Sequence, residues 1–460
     1  MPAEKDCANC RRLNAELQTV KVRLAAVEEE LRRGHRQATP FSRDRKKPDP
    51  KPPGRRAGQG EFAHRQPPPD DQIDKTEVTP LECCPDCGGP LRDKRRHQTI
   101  QTDLPRQEPV HTCFITESGW CQRCRRRVRS RHPEQTSTAA GAAGVVLGPN
   151  ARSLAADLHH RLGVPYAKIS DLYDTAFGLA VTPGALVQSD ERLAEQARPV
   201  YEQLIAAIRR SCAAHADETG WRIGVLSAWL WTFTNQQLTV YVIDESRGHQ
   251  IVLRILGREF KGVLHADCFL AYDHRALAGW LQQKCFAHFL KTLAQLEQEK
   301  TRGAVRFPRE LAAVLREALA LREEKAVLSA LAFRRRLGGI ERRLDALIAE
   351  GRSFSDPDNR RFAKRLRKQR RHLFTFLRRE GVEATNNRAE RSLRPAVVVR
   401  KTGGCNKTAI GADTHSILAS VLVTARQRGI DGIAYVAKLL TTPGKPPPLV
   451  AQGTFRTFIG

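Results

Sequence analysis

The chain has 460 residues, and its 77 Lys and Arg against 50 Asp and Glu give a formal net charge of +27. This length holds about three domains, and this charge favours nucleic acid or an anionic membrane surface as the partner. No apolar run approaches the roughly 18 residues that span a bilayer, and the N-terminus lacks the apolar core of a signal peptide. We therefore expect a cytoplasmic, nucleoid-associated protein whose 12 cysteines stay reduced.

Residues 1–33 are predicted to form a helix with an apolar seam. The seam positions alternate spacings of four and three residues, which is the a/d pattern of about three heptads: Leu13, Leu17, Val20, Leu24, Val27 and Leu31. This pattern predicts a coiled coil that multimerises the protein, and a helix docked on its own chain is the alternative. Residues 34–80 are rich in proline, glycine and basic residues, which predicts a disordered basic linker.

Residues 81–130 are predicted to form a zinc-binding ribbon. Two Cys-x-x-Cys pairs supply four thiols: Cys84, Cys87, Cys121 and Cys124. Four thiolates are a common ligand set of structural zinc, although the gap of about 33 residues exceeds the usual ~15–20. A decayed or redox-active pair is the alternative.

Residues 131–205 have the apolar periodicity of helix, turn, helix, turn and helix. A helix-turn-helix DNA reader fits this pattern. A helical bridge into the next domain fits it equally well, and periodicity alone does not choose between them.

Two aspartates follow short apolar runs in the next segment. Asp217 and Asp267 each lie at a predicted strand end, which is where ligands bind in α/β sheets. Between them the pattern predicts a hairpin, a helix and a strand over residues 228–234, 238–244, 246–256 and 261–266. Nearby acids have other predicted roles: Glu218 points to the opposite side of the strand, Asp244 fits a turn, and Asp273 caps the following helix.

A third acid, Glu390, lies in the basic segment TNNRAERSLRPAVVVRK. Thr385 is predicted to cap a short helix that Pro395 ends after residue 394. A carboxylate on a polyanion-binding surface repels its ligand unless a cation lies between them, so Glu390 is a candidate metal ligand. The alternative is an ordinary ion pair within the helix. The surrounding cations are predicted to bind DNA: Arg388, Arg391, Arg394, Arg400 and Lys401.

Residues 359–380 are dense in arginine and lysine and hold few acids. This density favours contact with the DNA backbone, including contacts from Arg365, Lys368 and Arg371, and a solvated helix face is the alternative. Upstream, Cys285 and His288 share one helical turn. Zinc would need two more ligands and none is evident in the sequence, so both are predicted to pack their helix.

Four segments together resemble the DDE transposases of the insertion sequence 66 family. They are DETGWRI at Asp217, GVLHADCFLAYD at Asp267, CFAH at Cys285–His288 and TNNRAERSLRPAVVVRK at Glu390. The resemblance implies an α/β multidomain protein with a ribonuclease H-like core in two parts. These are residues 206–300 and 381–442, separated by a helical insertion over 301–380 and followed by a tail over 443–460.

The resemblance also implies a chemistry. Asp217, Asp267 and Glu390 would be the catalytic acids and would hold two Mg²⁺ or Mn²⁺ ions, with Asp267 between the ions. The expected activity is cleavage of the ends of a bacterial mobile element and joining of the 3′-hydroxyls to double-stranded target DNA. The expected assembly is a homo-oligomer, with accessory proteins of the same element as further partners. The rivals are a non-catalytic DNA-binding regulator and a metal-dependent nuclease that cuts without joining.

Overall fold

The structure, a computed structural model, describes residues 13, 15–24, 67–105, 107–136, 145–442 and 447–449. The chain divides into two units, Met1–Pro105 and Arg106–Gly460. Within the described ranges, no helix is long and apolar enough to cross a membrane.

The first unit contains the start of the leucine seam and the first cysteine pair. Residues 15–24 are helical, and the four seam side chains described there are each more than half exposed: Leu13, Leu17, Val20 and Leu24. The rest of the seam and linker residues 34–66 lie outside the described residues. Around the cysteines, the Cys84 N–H donates to Gly89 O and the Gly88 N–H donates to Cys84 O, which closes a tight turn.

The second unit begins with a small hairpin and three helices. Strands β1 and β2 pair antiparallel, and the helices α1, α2 and α3 follow, with bounds Ser118–Cys121, Arg126–Arg129, Pro149–Ala156, Tyr166–Phe177 and Pro183–Arg209. The predicted succession of three helices is confirmed. The buried face of α3 packs into the same core as the strands of the large sheet, with Leu193, Ala197 and Leu204 fully buried. This packing favours the interpretation of the region as a helical bridge.

The large sheet has five strands in the order β5-β4-β3-β6-β7. Their bounds are Ala213–Ile223 for β3, Leu226–Thr234 for β4, Thr239–Asp244 for β5, Val263–Ala266 for β6 and Gln282–Lys284 for β7. The first three strands form an antiparallel meander, and β6 and β7 add parallel to β3 on its other side. Both faces are covered by helices, so the core strands carry apolar side chains on both sides.

Most of the elements predicted between the two aspartates are confirmed. The hairpin turns at Asn235, whose side chain accepts from the Gln237 and Leu238 N–H groups. Helix α4 spans His249–Leu256, so it begins three residues later than predicted. Asp244 sits in a turn as predicted, since its carboxylate accepts from the Ser246 N–H at 2.8 Å.

The role predicted for Asp273 is wrong. The following short helix is capped by the ring of His274, which accepts from the Ala276 N–H. The Asp273 carboxylate instead accepts from the fully buried Lys284 ammonium at 2.9 Å and from the Gln369 side chain at 2.6 Å. Burial of Lys284 explains the difference, because a buried ammonium needs an anionic partner more than an exposed helix end needs a cap.

The helical character predicted for residues 301–380 is confirmed. Helix α5 leaves β7, and α6 to α9 follow it, with bounds Phe286–Glu299, Arg306–Glu323, Ala330–Glu350, Pro357–Gln369 and Thr375–Arg378. Their apolar faces share one core, in which Leu315, Ile340 and Phe376 are fully buried. The insertion therefore shares with α5 and with Val263 of β6 a core that is separate from the main core of the sheet.

The chain returns to the sheet through three helices: α10 over Asn387–Gly403, α11 over Ala409–Gln427 and α12 over Gly432–Thr441. The prediction that Pro395 ends the Glu390 helix is wrong, because α10 runs through it. Pro395 costs roughly 3 kcal/mol inside a helix, but Leu393, Ala396 and Val399 are buried against β3 and β4, and this burial offsets that cost. Thr385 is also not the cap; Asn386 occupies that position.

Candidate active site at the sheet edge

Asp217 lies within β3, and Asp267 directly follows β6, the parallel neighbour of β3. The prediction that Asp217 lies at a strand end is wrong, because β3 continues to Ile223 in its pairing with β4. The sequence His-Ala-Asp occurs on both β3 and β6, and His215 pairs with His265 in the parallel register. Each aspartate therefore lies two residues beyond the same rung, on the same face as its histidine. The two imidazoles stack with centroids 3.9 Å apart. This pairing brings the two carboxylates to one edge of the sheet.

Asn386 connects the helix of Glu390 to the strand of Asp217. Its side-chain N–H donates to the Ala216 carbonyl at 2.8 Å, and its Oδ1 lies 3.2 Å from His215 Nδ1. The side chain is buried and does not cap its own helix. Glu390 follows one helical turn later, so these bonds fix where its carboxylate can reach.

Cys285 connects the same helix to the strand of Asp267. Its Sγ accepts from the Asn386 backbone N–H at 3.1 Å, and its own N–H donates to the Ala266 carbonyl at 3.0 Å. A continuous chain of hydrogen bonds thus runs from Ala216 through Asn386 and Cys285 to Ala266. Each aspartate is adjacent in sequence to one end of this chain.

Asp217 lies in a buried, negatively charged environment. Burial, together with the negative charges of Glu218, Asp267 and Glu390, raises the pKa of Asp217 to about 7. Negative charges near a carboxyl group disfavour its ionisation and raise its pKa unless a counter-ion is present. The arrangement therefore favours a cation among these oxygens.

His288 lies next to Glu390, a relationship that the sequence analysis missed. Its Nδ1 is 3.7 Å from Glu390 Oε1. The Cys285 thiol lies near both, and the ligand atoms of the three residues are all within 4.8 Å of one another. A hydrogen bond with Cys285 raises the pKa of His288 to about 9, assisted by the charges of Asp267 and Glu390. The Cys-x-x-His spacing was the available signal, but the third member comes from a helix about a hundred residues away.

Glu218, the neighbour of Asp217, is engaged by other side chains. Its carboxylate accepts from Arg247 at 3.0 Å and from the Tyr272 hydroxyl at 2.7 Å. The Arg247 guanidinium is held between the Trp229 and Phe269 rings, 4.1 and 4.0 Å from their centroids. Glu218 is thus part of a closed structural network.

A family model described as "Transposase IS66 family" matches residues 144–414, which is more than half of the chain and includes all three acids. The chain belongs to the IS66 transposase family. The match begins just before α1 and ends within α11, so it covers the whole of the five-stranded sheet and the insertion.

This IS66 family member is also similar to two proteins of Sinorhizobium fredii, both described as uncharacterized. It is 24% identical to y4jD over 57% of this chain and 56% of that protein. It is 23% identical to y4hP over 82% of this chain and 73% of that protein. The chain thus spans little more than half the length of the first relative.

The cations that the sequence predicts to bind DNA fall into two groups on α10. Arg388 pairs with Glu383, and the Arg400 guanidinium donates to Gly220 O and to the Thr219 hydroxyl, so both contribute to packing. The second group, a stripe at helical spacing, is exposed and has no ion pair within the described part of the chain: Arg391, Arg394 and Lys401. This stripe runs along α10 away from Glu390.

The basic segment 359–380 of this family member is largely engaged with its own chain. The Lys368 ammonium lies 3.0 Å from Asp273, and Arg371 donates to the Ala278 carbonyl at 2.8 Å. Arg365 lies over the Phe362 ring at 5.9 Å. DNA contact through these residues stays a prediction.

The two cysteine pairs belong to different units, and each forms its own turn. Hydrogen bonds from backbone groups, first from Asp86, lower the pKa of Cys84. Hydrogen bonds from the Cys124 backbone lower the pKa of Cys121 in the same way, with the N–H 3.4 Å from Sγ. Such bonds favour the thiolate, which is the form that binds zinc. Zinc binding by the four cysteines stays a prediction.

Proposed function

We propose that this IS66 family member is a DDE transposase that cleaves the ends of its element and joins their 3′-hydroxyls to target DNA. The observation that carries the proposal is the hydrogen-bonded chain through Asn386 and Cys285, whose two ends are the residues before Asp217 and Asp267 and whose Asn386 lies one helical turn before Glu390. Carboxylates placed near one another favour a bound cation, because like charges repel one another.

The strand order supports a ribonuclease H-like core. Counted from β3, the sheet has the order 3-2-1-4-5, with an antiparallel meander and two parallel additions. The first acid lies on the central strand just beyond the rungs that pair with β6, the second directly follows β6, and the third lies on a later helix. This is the layout that the sequence resemblance implies.

The donor set fits Mg²⁺ or Mn²⁺. All three side chains offer carboxylate oxygens, the hard ligands that these ions prefer, and burial followed by neighbouring negative charge raises the pKa of Asp217. When bound, such ions stabilise charge on the attacking and leaving oxygens of a phosphodiester. The ion itself would be held by Asp217, Asp267 and Glu390.

The exposed cations on α10 would bind the DNA backbone. Arg391, Arg394 and Lys401 face solvent without internal ion pairs in the described structure, so their charge is free to contact phosphates. Arginine can hold a phosphate with two parallel hydrogen bonds, which fixes its orientation. A strand bound along this stripe would lead toward Glu390, and the stripe therefore supports positioning of DNA at the acids.

The test compares Asp217→Asn, Asp267→Asn and Glu390→Gln with the matched control Asp244→Asn. The amide oxygen introduced by the control can still accept from the Ser246 N–H, so the control keeps its turn. With DNA carrying the element ends, Mn²⁺ and a target plasmid, we expect each of the three variants to lose cleavage and joining but to retain DNA binding. The control should keep all three activities.

The outcome also separates the rivals. Cleavage without joined products would favour a nuclease. If no protein cleaves DNA, the control included, and all of them still bind it, the result would favour a regulator and contradict the proposed chemistry.

A further inference from the structure

A group of mixed metal ligands lies beside the three acids. The Cys285 thiol, the His288 imidazole and the Glu390 carboxylate each offer one ligand atom, and these atoms lie within 4.8 Å of one another. In the described part of the chain it is the only such group of three or more Cys, His, Asp or Glu. We infer that these three residues form a zinc-binding site that shares Glu390 with the oxygen-only site.

The spacing of the ligand atoms is close to what zinc requires. In a tetrahedral site with Zn–N and Zn–O bonds of about 2.0–2.1 Å, the nitrogen and oxygen ligands lie roughly 3.3 Å apart. His288 Nδ1 and Glu390 Oε1 are 3.7 Å apart. The difference is about 0.4 Å between two side chains that are both partly exposed.

Two of the ligands are held by a rigid element. Cys285 is the N-cap residue of α5, and His288 lies on its first turn, so one helical turn fixes their separation. The Asn386 N–H donates to the Cys285 sulfur at 3.1 Å, and the Phe286 N–H donates to the Ala384 carbonyl at 3.0 Å. Such outer contacts orient ligands in metal sites. The Cys285 sulfur is therefore placed independently of any ion.

The chemistry of the group selects zinc over magnesium. Zinc accepts sulfur, nitrogen and oxygen together, whereas Mg²⁺ takes oxygen ligands and avoids thiolates. Three protein ligands leave a fourth position for water. The side chains of His288 and Glu390 are 46% and 41% exposed, which gives an ion a path from solvent.

Sharing Glu390 has a functional consequence that rests on the proposed transposase chemistry. A zinc ion bound to Cys285, His288 and Glu390 would occupy the carboxylate that Mg²⁺ or Mn²⁺ needs. Zinc should therefore act as an inhibitor that competes with the catalytic ion. The binding itself does not depend on that chemistry and can be tested alone.

The binding test titrates the full-length protein with Co²⁺, which replaces zinc and shows a charge-transfer absorption when a thiolate is bound. The comparison is between wild type, His288→Ala and the control Asp244→Asn, which lies outside both the mixed group and the three acids. We expect wild type and the control to bind one equivalent more, with thiolate absorption, than His288→Ala. The ribbon cysteines are unchanged in all three, so their contribution cancels.

Cys285→Ser gives a second arm, with circular dichroism to verify its fold because Cys285 is buried. Loss of a ligand should weaken Zn²⁺ binding by at least about 10-fold. Equal cobalt stoichiometry and absorption in wild type and His288→Ala would overturn the inference, whatever Cys285→Ser does.

The activity test measures how much Zn²⁺ halves Mg²⁺-dependent cleavage by wild type and by His288→Ala. We expect the variant to need at least about 10-fold more Zn²⁺, and excess Mg²⁺ to relieve inhibition of wild type. Identical inhibition of both proteins would contradict the shared site. If no protein cleaves DNA, the proposed function fails, while the cobalt titration still decides whether zinc binds.

Discussion

The side-chain amide of Asn386 donates a hydrogen bond to the backbone carbonyl of Ala216, 2.8 Å away, across 170 residues of sequence. Ala216 directly precedes Asp217, and Asn386 lies one helical turn before Glu390. One bond therefore sets the distance between two elements that each carry an acid. The Oδ1 of the same amide lies 3.2 Å from His215 Nδ1, so both polar atoms of the Asn386 side chain contact β3.

Replacement of Asn386 by alanine should damage both stability and the metal site. The change leaves the buried Ala216 carbonyl without its partner, which costs about 1–3 kcal/mol. We expect a lower urea midpoint with an unchanged slope, and a higher Mn²⁺ concentration for half-maximal cleavage. Asn387→Ala is the matched control, because Asn387 is exposed at the same helix end. Equal Mn²⁺ dependence of Asn386→Ala and wild type would show that the bond does not position Glu390.

Replacement of His159 should lower the stability of the folded protein near neutral pH and raise it at acidic pH. Burial lowers the pKa of His159 to about 4, below its ordinary value of 6.5. The unfolded chain then binds a proton that the folded chain does not bind, so the stability present above pH 6.5 is lost as pH falls toward 4.

His159→Phe removes this proton and keeps a ring against Tyr166, but it loses the bond to the Val164 carbonyl at 2.9 Å. Near pH 7.5 we expect the variant to be about 1 kcal/mol less stable than wild type. At pH 4.5 it should be about 1 kcal/mol more stable, since the lost linkage exceeds the lost bond. Urea denaturation at both pH values checks the crossing, with the exposed His111→Phe as control; a constant difference would refute it.

The ribbon prediction concerns one zinc ion per chain held by Cys84, Cys87, Cys121 and Cys124. A four-thiolate site contributes folding free energy locally, so chelation should unfold residues 81–130 and leave the sheet intact. Hydrogen exchange with and without chelator measures this directly. Elemental analysis of reduced protein should show loss of zinc in Cys84→Ser and retention in Cys83→Ser, the adjacent exposed cysteine.

The leucine seam predicts self-association. Leu17 and Leu24 are predicted seam positions, and both are exposed, as are the other described residues of their helix. Changing both to glutamate should lower the mass measured by light scattering, because charges at a and d positions prevent packing between helices. Glu16→Gln with Lys21→Gln is a control that keeps the seam. An unchanged mass after the double leucine change would leave the docked helix as the interpretation.

Local patterns predicted the elements of the sheet better than the ends of the site helix. The hairpin turn at Asn235 and the strand before Asp267 follow from short apolar runs and turn residues, which depend on near neighbours in sequence. The continuation of β3 past Asp217 follows instead from its pairing with β4. The path of α10 through Pro395 depends on Ala396 and Val399 packing against β3 and β4, which no local rule contains. Tertiary burial therefore overrode the helix-breaking preference of proline.

The residues of the candidate site also differ in how far the sequence could predict them. The three acids could be proposed from sequence because each sits in a distinctive motif. The roles of Arg400 and Asp273 could not, since their partners, Gly220 and Lys284, are set by the fold. The third member of the group with Cys285 and His288 was missed for the same reason: Glu390 lies on a helix beyond the insertion, and only the fold brings it beside them.

The exposed stripe on α10 should hold the DNA backbone near Glu390. Each phosphate contact releases counterions, and its loss reduces the log–log dependence of affinity on salt by about 0.9. Replacing Arg391, Arg394 and Lys401 with alanine should therefore weaken binding to all sequences alike and flatten the slope by roughly two to three units. End selectivity should survive, because phosphate contacts carry little sequence information.

The comparison variant replaces Arg365, Lys368 and Arg371 with alanine. Two of these residues already bond within the chain, to Asp273 and Ala278. A flattened slope for both triples would place DNA along the insertion as well. An unchanged slope for the stripe would show that the DNA reaches the acids by another path.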